Sequence, residues 1–425
     1  MSKRMEFYLP FLYFFLIIQK VVASMTGGFL GDMITFVDEI LSFIILVCLF
    51  LVKGNHSKVI LYFILFYLIG FCGSLFTSSP LQSIIIAVFG VVFFLNFPAI
   101  FIIFSRFNIF GNRIVLTGIK FLSILILFSV LFQFFFESKF FELRNLVGLK
   151  IDENYVSIFI PYPTIFYGLW ESAMFNFFLT LFYFLKARNN KKYFFFSIFH
   201  FLVCLLSGRL TESVLLIITL LLAVSFRKLL LLVSVVLSLF IFKYSSFEES
   251  EASIFLAEGY VEKFIAYQDI DDNVPLRTAL MYNAVDQSLL SFPFGVGIGG
   301  FSSKASQVFI GNTISNHSKY SYPDISRYNS NILGDNGLAM ILGEFGVIGL
   351  LIYCIILIVI CRRIVFLKIK NFPESDQQSI RLARLILPYF LFAMMKGNYH
   401  FYSFFLILFL VPISYSYFLK NDIHT

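Results

Sequence analysis

About a dozen apolar runs, each long or nearly long enough to cross a bilayer as a helix, follow one another through this chain. They lie near residues 7–22, 34–52, 58–76, 83–104, 114–136, 164–185, 193–208, 210–226, 229–243, 338–360, 382–398 and 401–419. The runs from 193 to 243 are crowded, so about ten or eleven spans is the alternative count. With no water in the hydrocarbon layer, a spanning segment must satisfy its backbone hydrogen bonds internally, and a helix does so. The predicted fold is therefore all-α: a polytopic membrane helix bundle of about 12 transmembrane helices with a large outer loop. Composition agrees. Hydrophobic residues are 59% and charged residues 13% of the 425, with mean hydropathy +0.88, whereas a soluble domain carries about 25% charged residues. A water-soluble globule is excluded.

A formal charge of +7 invites a nucleic-acid reading, but the lysines and arginines sit mainly in short loops between apolar runs, where they set topology. One face carries Lys3 and Arg4, Lys53 and Lys58, Arg106 and Arg113, and Lys186, Arg188, Lys191 and Lys192. It continues with Arg227 and Lys228, Arg362, Arg363, Lys368 and Lys370, and Lys420, while the opposite loops SMTGGFLGD and TSSPLQ carry none. The alternation places both termini in the cytoplasm. Val21-Val22-Ala23 loosely resembles a signal-peptide cleavage site, but the run length and the later topology favour a retained anchor. Three parts follow: an N-terminal bundle at 1–243 with about nine spans, an outer loop at 244–336, and about three C-terminal spans at 337–425. The five cysteines lie in or beside apolar runs without a CxxC, which supports neither a disulfide framework nor a zinc site.

The outer loop holds the polar and irregular backbone that chemistry needs. Two amphipathic surface helices are expected within it. In the first, over Ser253–Tyr267, Ile254, Phe255, Val261, Phe264 and Ile265 recur at helical spacing. In the second, over Pro275–Leu290, Leu276, Leu280, Ala284 and Leu289 do so, with Pro275 in a first turn and Pro293 as a stop.

Arg209, in LLSGRLTESVLL, falls at the outer end of a span, where cations are otherwise sparse. Charges within spans are costly and tend to be functional; the plainer reading is a solvated turn paired with Glu212 three residues on. Arg277, on the second surface helix, could hold phosphate bidentately or could snorkel to anchor that helix. Arg327 and Arg144 are weaker candidates of the same kind. FPFGVGIGGF lacks the strand–helix setting of a dinucleotide site; a backbone nest for phosphate or a turn re-entering the membrane surface remains. Asp335 is a candidate general base or the N-cap of the span near Leu338; Asn336 adjoins it, and Glu344, the second choice as base, lies deeper. Glu171, a few residues below the outer surface, calls for a partner, for which an outer-face arginine is expected. His200 reads as a hydrogen-bonded packing residue, and His317 and His400 lack partners at metal spacing.

In order, the chain offers SGRLTE between two spans, then R-x-x-L-x-x-N-A, P-x-G-V-G-x-G-x-F, D-N-x-x-L-x-x-x-L-x-E-x-G and GVIGLLI. That order, carried by residues 205–355, resembles the bacterial O-antigen polymerase and ligase superfamily. The resemblance implies glycosyl transfer at the outer face of the bacterial plasma membrane, from saccharides linked to undecaprenyl diphosphate. It implies that Arg209 and Arg277 hold the diphosphate; beside them, the reading of the residues keeps Arg327, Asn336 and Glu171 as substrate-binding candidates. Ligases of the superfamily have His-Asn where this chain has Asp335-Asn336, which argues for a polymerase and makes the match of Asp335 to the ligase base positional only. The implied partners are the lipid-linked oligosaccharide, membrane lipid, a chain-length regulator and a flippase, with no nucleic acid.

A departing diphosphate needs its charge stabilised. Apart from Asp271-Asp272, no acidic pair of the D-x-D kind appears in the outer loops, so arginines are expected to replace a metal, with no cofactor; charge-assisted hydrogen bonds contribute about 1.5–3 kcal/mol each. The rivals are a ligase transferring glycan to lipid A core or protein, and a flippase, which is not an enzyme.

Overall fold

The computed structural model describes residues 3–26, 28–51, 58–76, 80–146, 166, 169–207, 210–223, 276–301, 303, 336–397 and 403–419. Every regular element among them is helical: α1 (Lys3–Thr26), α2 (Gly28–Thr35), α3 (Val37–Leu51), α4 (Lys58–Leu75), α5 (Pro80–Phe94) and α6 (Asn96–Ile103). There follow α7 (Arg113–Phe135), α8 (Glu137–Leu146), α9 (Leu169–Ala187), α10 (Lys192–Leu206) and α11 (Leu210–Ala223). Last come α12 (Leu276–Leu290), α13 (Gly337–Phe366), α14 (Glu374–Lys396) and α15 (Ser403–Phe418).

Among the described residues, four stretches are long and apolar enough to cross a membrane: Tyr8–Thr26, Leu81–Arg106, Arg113–Phe135 and Gly337–Phe366. Val59–Leu75, Lys192–Leu205, Thr211–Leu221 and Ser403–Phe418 are shorter apolar helices. On α7, Val115, Ile119 and Ile126 are buried while Phe121 and Phe128 are exposed. A one-sided apolar exposure of this size suits a lipid contact better than water. The expected amphipathic helix at Ser253–Tyr267 and the apolar run at 229–243 lie outside the described residues.

The helices gather into two compact units, and one of the five points at which the chain passes between them falls within α14, between Pro388 and Tyr389. In the first unit (Met1–Thr35, Asn108–Ile270 and Lys370–Pro388), α9 packs along α10 and buries both its faces, from Ala173 to Tyr183. Its polar groups are satisfied pairwise, as groups in an apolar bundle must be. The Asn176 amide Nδ2 donates to Ser172 O at 2.8 Å, which leaves Asn176 Oδ1 to accept from His200 Nδ1 at 2.7 Å. Ser197 Oγ donates to Thr180 O at 2.9 Å. His200 is fully buried and is a hydrogen-bonded packing residue. At one end of this unit, Asn108 Nδ2 donates to Asp376 Oδ1 at 2.6 Å, Ser379 Oγ to Asn108 Oδ1 at 2.8 Å, and the Asn189 amide to Glu374.

The second unit comprises Phe36–Phe107, Asp271–Ile369 and Tyr389–Thr425. Here α13 packs on α4 and α12, and α6 on α15 and α3. Phenylalanine supplies the contacts: Phe66 stacks on Phe345 with centroids 4.0 Å apart, and Phe63 lies 5.0 Å from Phe97. A polar chain is sealed inside, with Ser42 Oγ donating to Asn96 Oδ1 at 2.6 Å and Asn96 Nδ2 to Asp38 Oδ2 at 3.3 Å. At the far end of α13, Arg363 donates to the carbonyls of Tyr417 and Leu419, each at 3.2 Å.

Candidate functional site

The glycine run FPFGVGIGGF folds against α13, at a break in that helix. Gly346 adopts φ 65° and ψ −168° in its middle. A left-handed residue of this kind interrupts the i to i−4 ladder, and inside a membrane the freed groups need partners from protein. The run provides them: Val296 N–H donates to Gly343 O at 2.9 Å, Gly297 N–H to Glu344 O at 3.0 Å, and Pro293 O accepts from Ile348 N–H at 3.4 Å. The approach is backbone to backbone. A Cβ on Gly346 would stand 2.4 Å from Gly295 N, and one on Gly295 would stand 2.5 Å from Gly346 N. Both glycines have φ near 70°, at 65° and 73°, so both lack the side chain for conformational as well as steric reasons.

Next to this break the run does form a backbone nest, and the anion it holds is the chain's own. Gly299 N–H donates to Glu344 Oε2 at 2.8 Å. Phe301 N–H and Ser303 N–H donate to Oε1 at 3.3 and 3.0 Å. Glu344 is 0% exposed. A carboxylate there would be costly without such donors; with them it ties three loop residues to a helix. The nest that the sequence left open as an alternative to a turn is therefore occupied by Glu344, which removes that carboxylate as a solvent-facing base.

Asn336 caps α13: its Oδ1 accepts from Ala339 N–H at 3.0 Å, which meets one of the orphan donors of a first helical turn. The cap falls on Asn336, one residue after the Asp335 for which it was expected. α12 spans Leu276–Leu290, close to the expected second surface helix, and packs on α13. Leu280 and Ala284 are buried with Phe301, Ala339 and Leu342, but Leu289, expected on the same apolar face, is 64% exposed. The buried face is the one that carries Asn283 and Ser288. Leu290 lies three residues before Pro293, whose carbonyl holds Ile348. Leu280, about 15 Å back along α12 at 1.5 Å per residue, shares its cluster with Ala339 and Leu342. The Leu276 end of α12 thus points toward Asn336, and Arg277 occupies the first turn at that end.

The first unit has its own charged group. Glu171, in the first turn of α9, accepts from Lys20 Nζ at 3.0 Å, and Nζ also lies 5.4 Å from the centroid of the Trp170 ring. The Glu171 side chain is 6% exposed and that of Lys20 is 41% exposed. Among the described residues, the partner of Glu171 is a lysine from α1 and not the arginine expected. Around the same end of α9, Cys204 Sγ donates to Ala173 O at 3.5 Å, and Ser213 Oγ donates to Cys204 O at 3.4 Å. These bonds bring both flanks of the SGR turn to the beginning of α9. Nearby in sequence, the buried Arg144 of α8 donates to Phe166 O at 3.0 Å and lies 5.8 Å from the Phe140 ring. Burial pulls its guanidinium down to about 10, so it remains charged at neutral pH.

Of the expected site residues, Glu171 and Asn336 are fully described, and Arg277 is described by its place on α12. Arg209, Arg327 and Asp335 lie outside the described residues. Among the described residues, no three of His, Cys, Asp and Glu gather as a metal site would need. Sequence reading passed over Lys20, although a lysine late in the first apolar run, at the end away from Lys3 and Arg4, was a visible signal. It had no means of seeing that Gly346 would break α13. No family model matches the chain, and no curated protein does.

Proposed function

We propose that the chain is a polysaccharide polymerase, a multi-pass glycosyltransferase of the bacterial plasma membrane with about 12 spans and both termini cytoplasmic. It moves a growing glycan from undecaprenyl diphosphate onto a new lipid-linked repeat unit at the outer face. Arg277 and Arg209 stabilise the diphosphate as the glycosidic bond breaks, without a metal. Arg327, Asn336 and Glu171 contribute to substrate binding. Asp335 takes the proton of the acceptor hydroxyl, and the electron pair of the breaking C–O bond leaves with the diphosphate.

The observation that carries the reading is the packing of α12, with Arg277 in its first turn, along the half of α13 that starts directly after Asp335 and Asn336. Cation and candidate base thereby belong to neighbouring helix starts. The pairing of helix ends supports the topology. Loops with Asn108 and Asn189 meet the start of α14, and all three are on the cytoplasmic side in the charge reading. Lys20 pairs with Glu171, and the flanks of the SGR turn are joined to each other and to the start of α9, all at ends that the charge reading assigns to the outer side.

A deletion strain tests the function directly. Surface glycan capped by one repeat unit is the expected phenotype. Complete absence of attached glycan would indicate a ligase, and repeat units trapped on the inner face would indicate a flippase.

A further inference from the structure

Two lysines of the first unit share one aromatic ring. Lys120 Nζ, from α7, stands 5.8 Å from the centroid of the Tyr193 ring at the start of α10, and Lys186 Nζ, from the last turn of α9, stands 5.3 Å from it. The two nitrogens are therefore no more than about 11 Å apart, and Lys186 feels the charge of Lys120. Helical side chains lean toward the N-terminus of their own helix. Lys120, two turns into α7, thus reaches back toward Arg113, while Lys186 reaches inward, 5.5 Å from the Phe182 ring one turn earlier. Like charges gathered in this way repel unless an anion joins them. Among the described residues neither lysine has a carboxylate partner; the ion pair found there joins Lys20 to Glu171. The segment KARNNKK at 186–192 contains no acid. Glu374 and Asp376, at the start of α14, accept from Asn189 and Asn108.

The surface beside the pair fits acyl chains. Lys120, Ile124 and Phe128 follow at i, i+4 and i+8 on α7, which makes one stripe of the helix, and all three are exposed. A headgroup phosphate held by the ammoniums would lay its chains along Ile124 and Phe128, whereas a soluble anion would gain nothing from that stripe. We infer that Lys120 and Lys186 form a binding site for the phosphodiester of an anionic phospholipid in the leaflet facing the cytoplasm. The inference stands apart from the polymerase reading and needs only that the chain crosses a membrane in the proposed orientation. Lysine stems cover apolar surface while their heads reach the headgroup level, and the ammonium meets phosphate as a point charge. A basic pocket between spanning helices on the cytoplasmic side is suited to such headgroups. Tyr193 is the positioning residue: its ring face attracts both cations and keeps them from spreading apart.

The test titrates the purified full-length protein, in a neutral detergent, with dihexanoyl-phosphatidylglycerol and follows binding by calorimetry. Wild type is compared with Lys120→Met, with Lys120→Met/Lys186→Met, and with Lys368→Met/Lys370→Met, which removes the same charge from another loop of the cytoplasmic face. The expected result is saturable binding to wild type, weakened about fivefold by the single variant and about twenty-fivefold by the Lys120/Lys186 double variant, the loss that each lysine near a lipid surface brings. The Lys368/Lys370 variant and Lys120→Arg/Lys186→Arg should bind like wild type, and Tyr193→Leu should bind more weakly although both charges remain. Should the double variant fail to fold, Lys120→Met, at an exposed position, still decides. An equal loss in the Lys368/Lys370 variant would make binding a matter of net charge and overturn the site. Unchanged affinity in Lys120→Met, or no binding by wild type, would overturn it as well. Two further titrants separate the sources: inorganic phosphate that competes at the lipid's own concentration would assign the cations to a soluble anion, and dihexanoyl-phosphatidylcholine that binds as tightly would leave the chains alone responsible; either result contradicts the inference.

Discussion

The two units each bury a glutamate in an apolar bundle, and they neutralise it in opposite ways. Glu171 meets a counter-ion, Lys20, that is itself part-exposed. Glu344 is held by three backbone N–H groups and the Ser303 hydroxyl beside a helix break, with no cation among those contacts. A side-chain partner can turn toward a new ligand at the cost of one rotamer change. A backbone partner cannot move without unfolding its loop. The difference teaches that a carboxylate in a membrane bundle signals function or architecture according to what holds it, and the residue type alone does not decide.

The comparison breaks most visibly at the helix break. Gly346→Ala forces a Cβ to within 2.4 Å of the Gly295 backbone at a positive φ, and a loss of roughly 3–5 kcal/mol is expected. Thermal unfolding followed by size-exclusion should find the variant aggregated or melting far below wild type. Glu344→Leu comes next. It leaves three buried N–H groups without their acceptor, each costing about 1–3 kcal/mol. Glu344→Gln should lose less, because its amide oxygen still accepts. An unchanged melting temperature in Glu344→Leu would refute the architectural role given to that carboxylate.

Glu171→Leu sharpens the contrast from the other side. Its ion pair is part-exposed and solvent-screened, so stability should change by no more than about 1 kcal/mol, which thermal unfolding would read as a small shift in melting temperature. A large stability loss would put Glu171 in the same class as Glu344. The smallest effect belongs to the helix cap: Asn336→Ala should cost about 1 kcal/mol, and Asn336→Asp should be nearly silent in a melting curve.

How far the sequence could be read follows the same physics. Spanning helices are legible because lipid imposes a long apolar stretch on each, and the starts and ends of α7, α9 and α13 fall near the edges of their apolar runs. α12 was legible from Pro275, Pro293 and the recurrence of Leu280 and Ala284. Its exact face was not, since Leu289 and Ala284 look alike in periodicity, and only packing against α13 separates them. The nest was half legible: alternate glycines announce an unusual backbone, but which anion it holds depends on Glu344, more than forty residues away. Lys20 escaped because a lysine in a long apolar run reads first as a snorkelling residue, and its partner Glu171 comes from a distant helix.

The most direct measurement reconstitutes the purified protein in vesicles with lipid-linked repeat units and a metal chelator. The account predicts polymer from wild type, none from a folded Arg277→Ala variant, and partial recovery in Arg277→Lys. Polymer of wild-type length from Arg277→Ala, or a wild-type enzyme that stays silent until a divalent metal is restored, would contradict it.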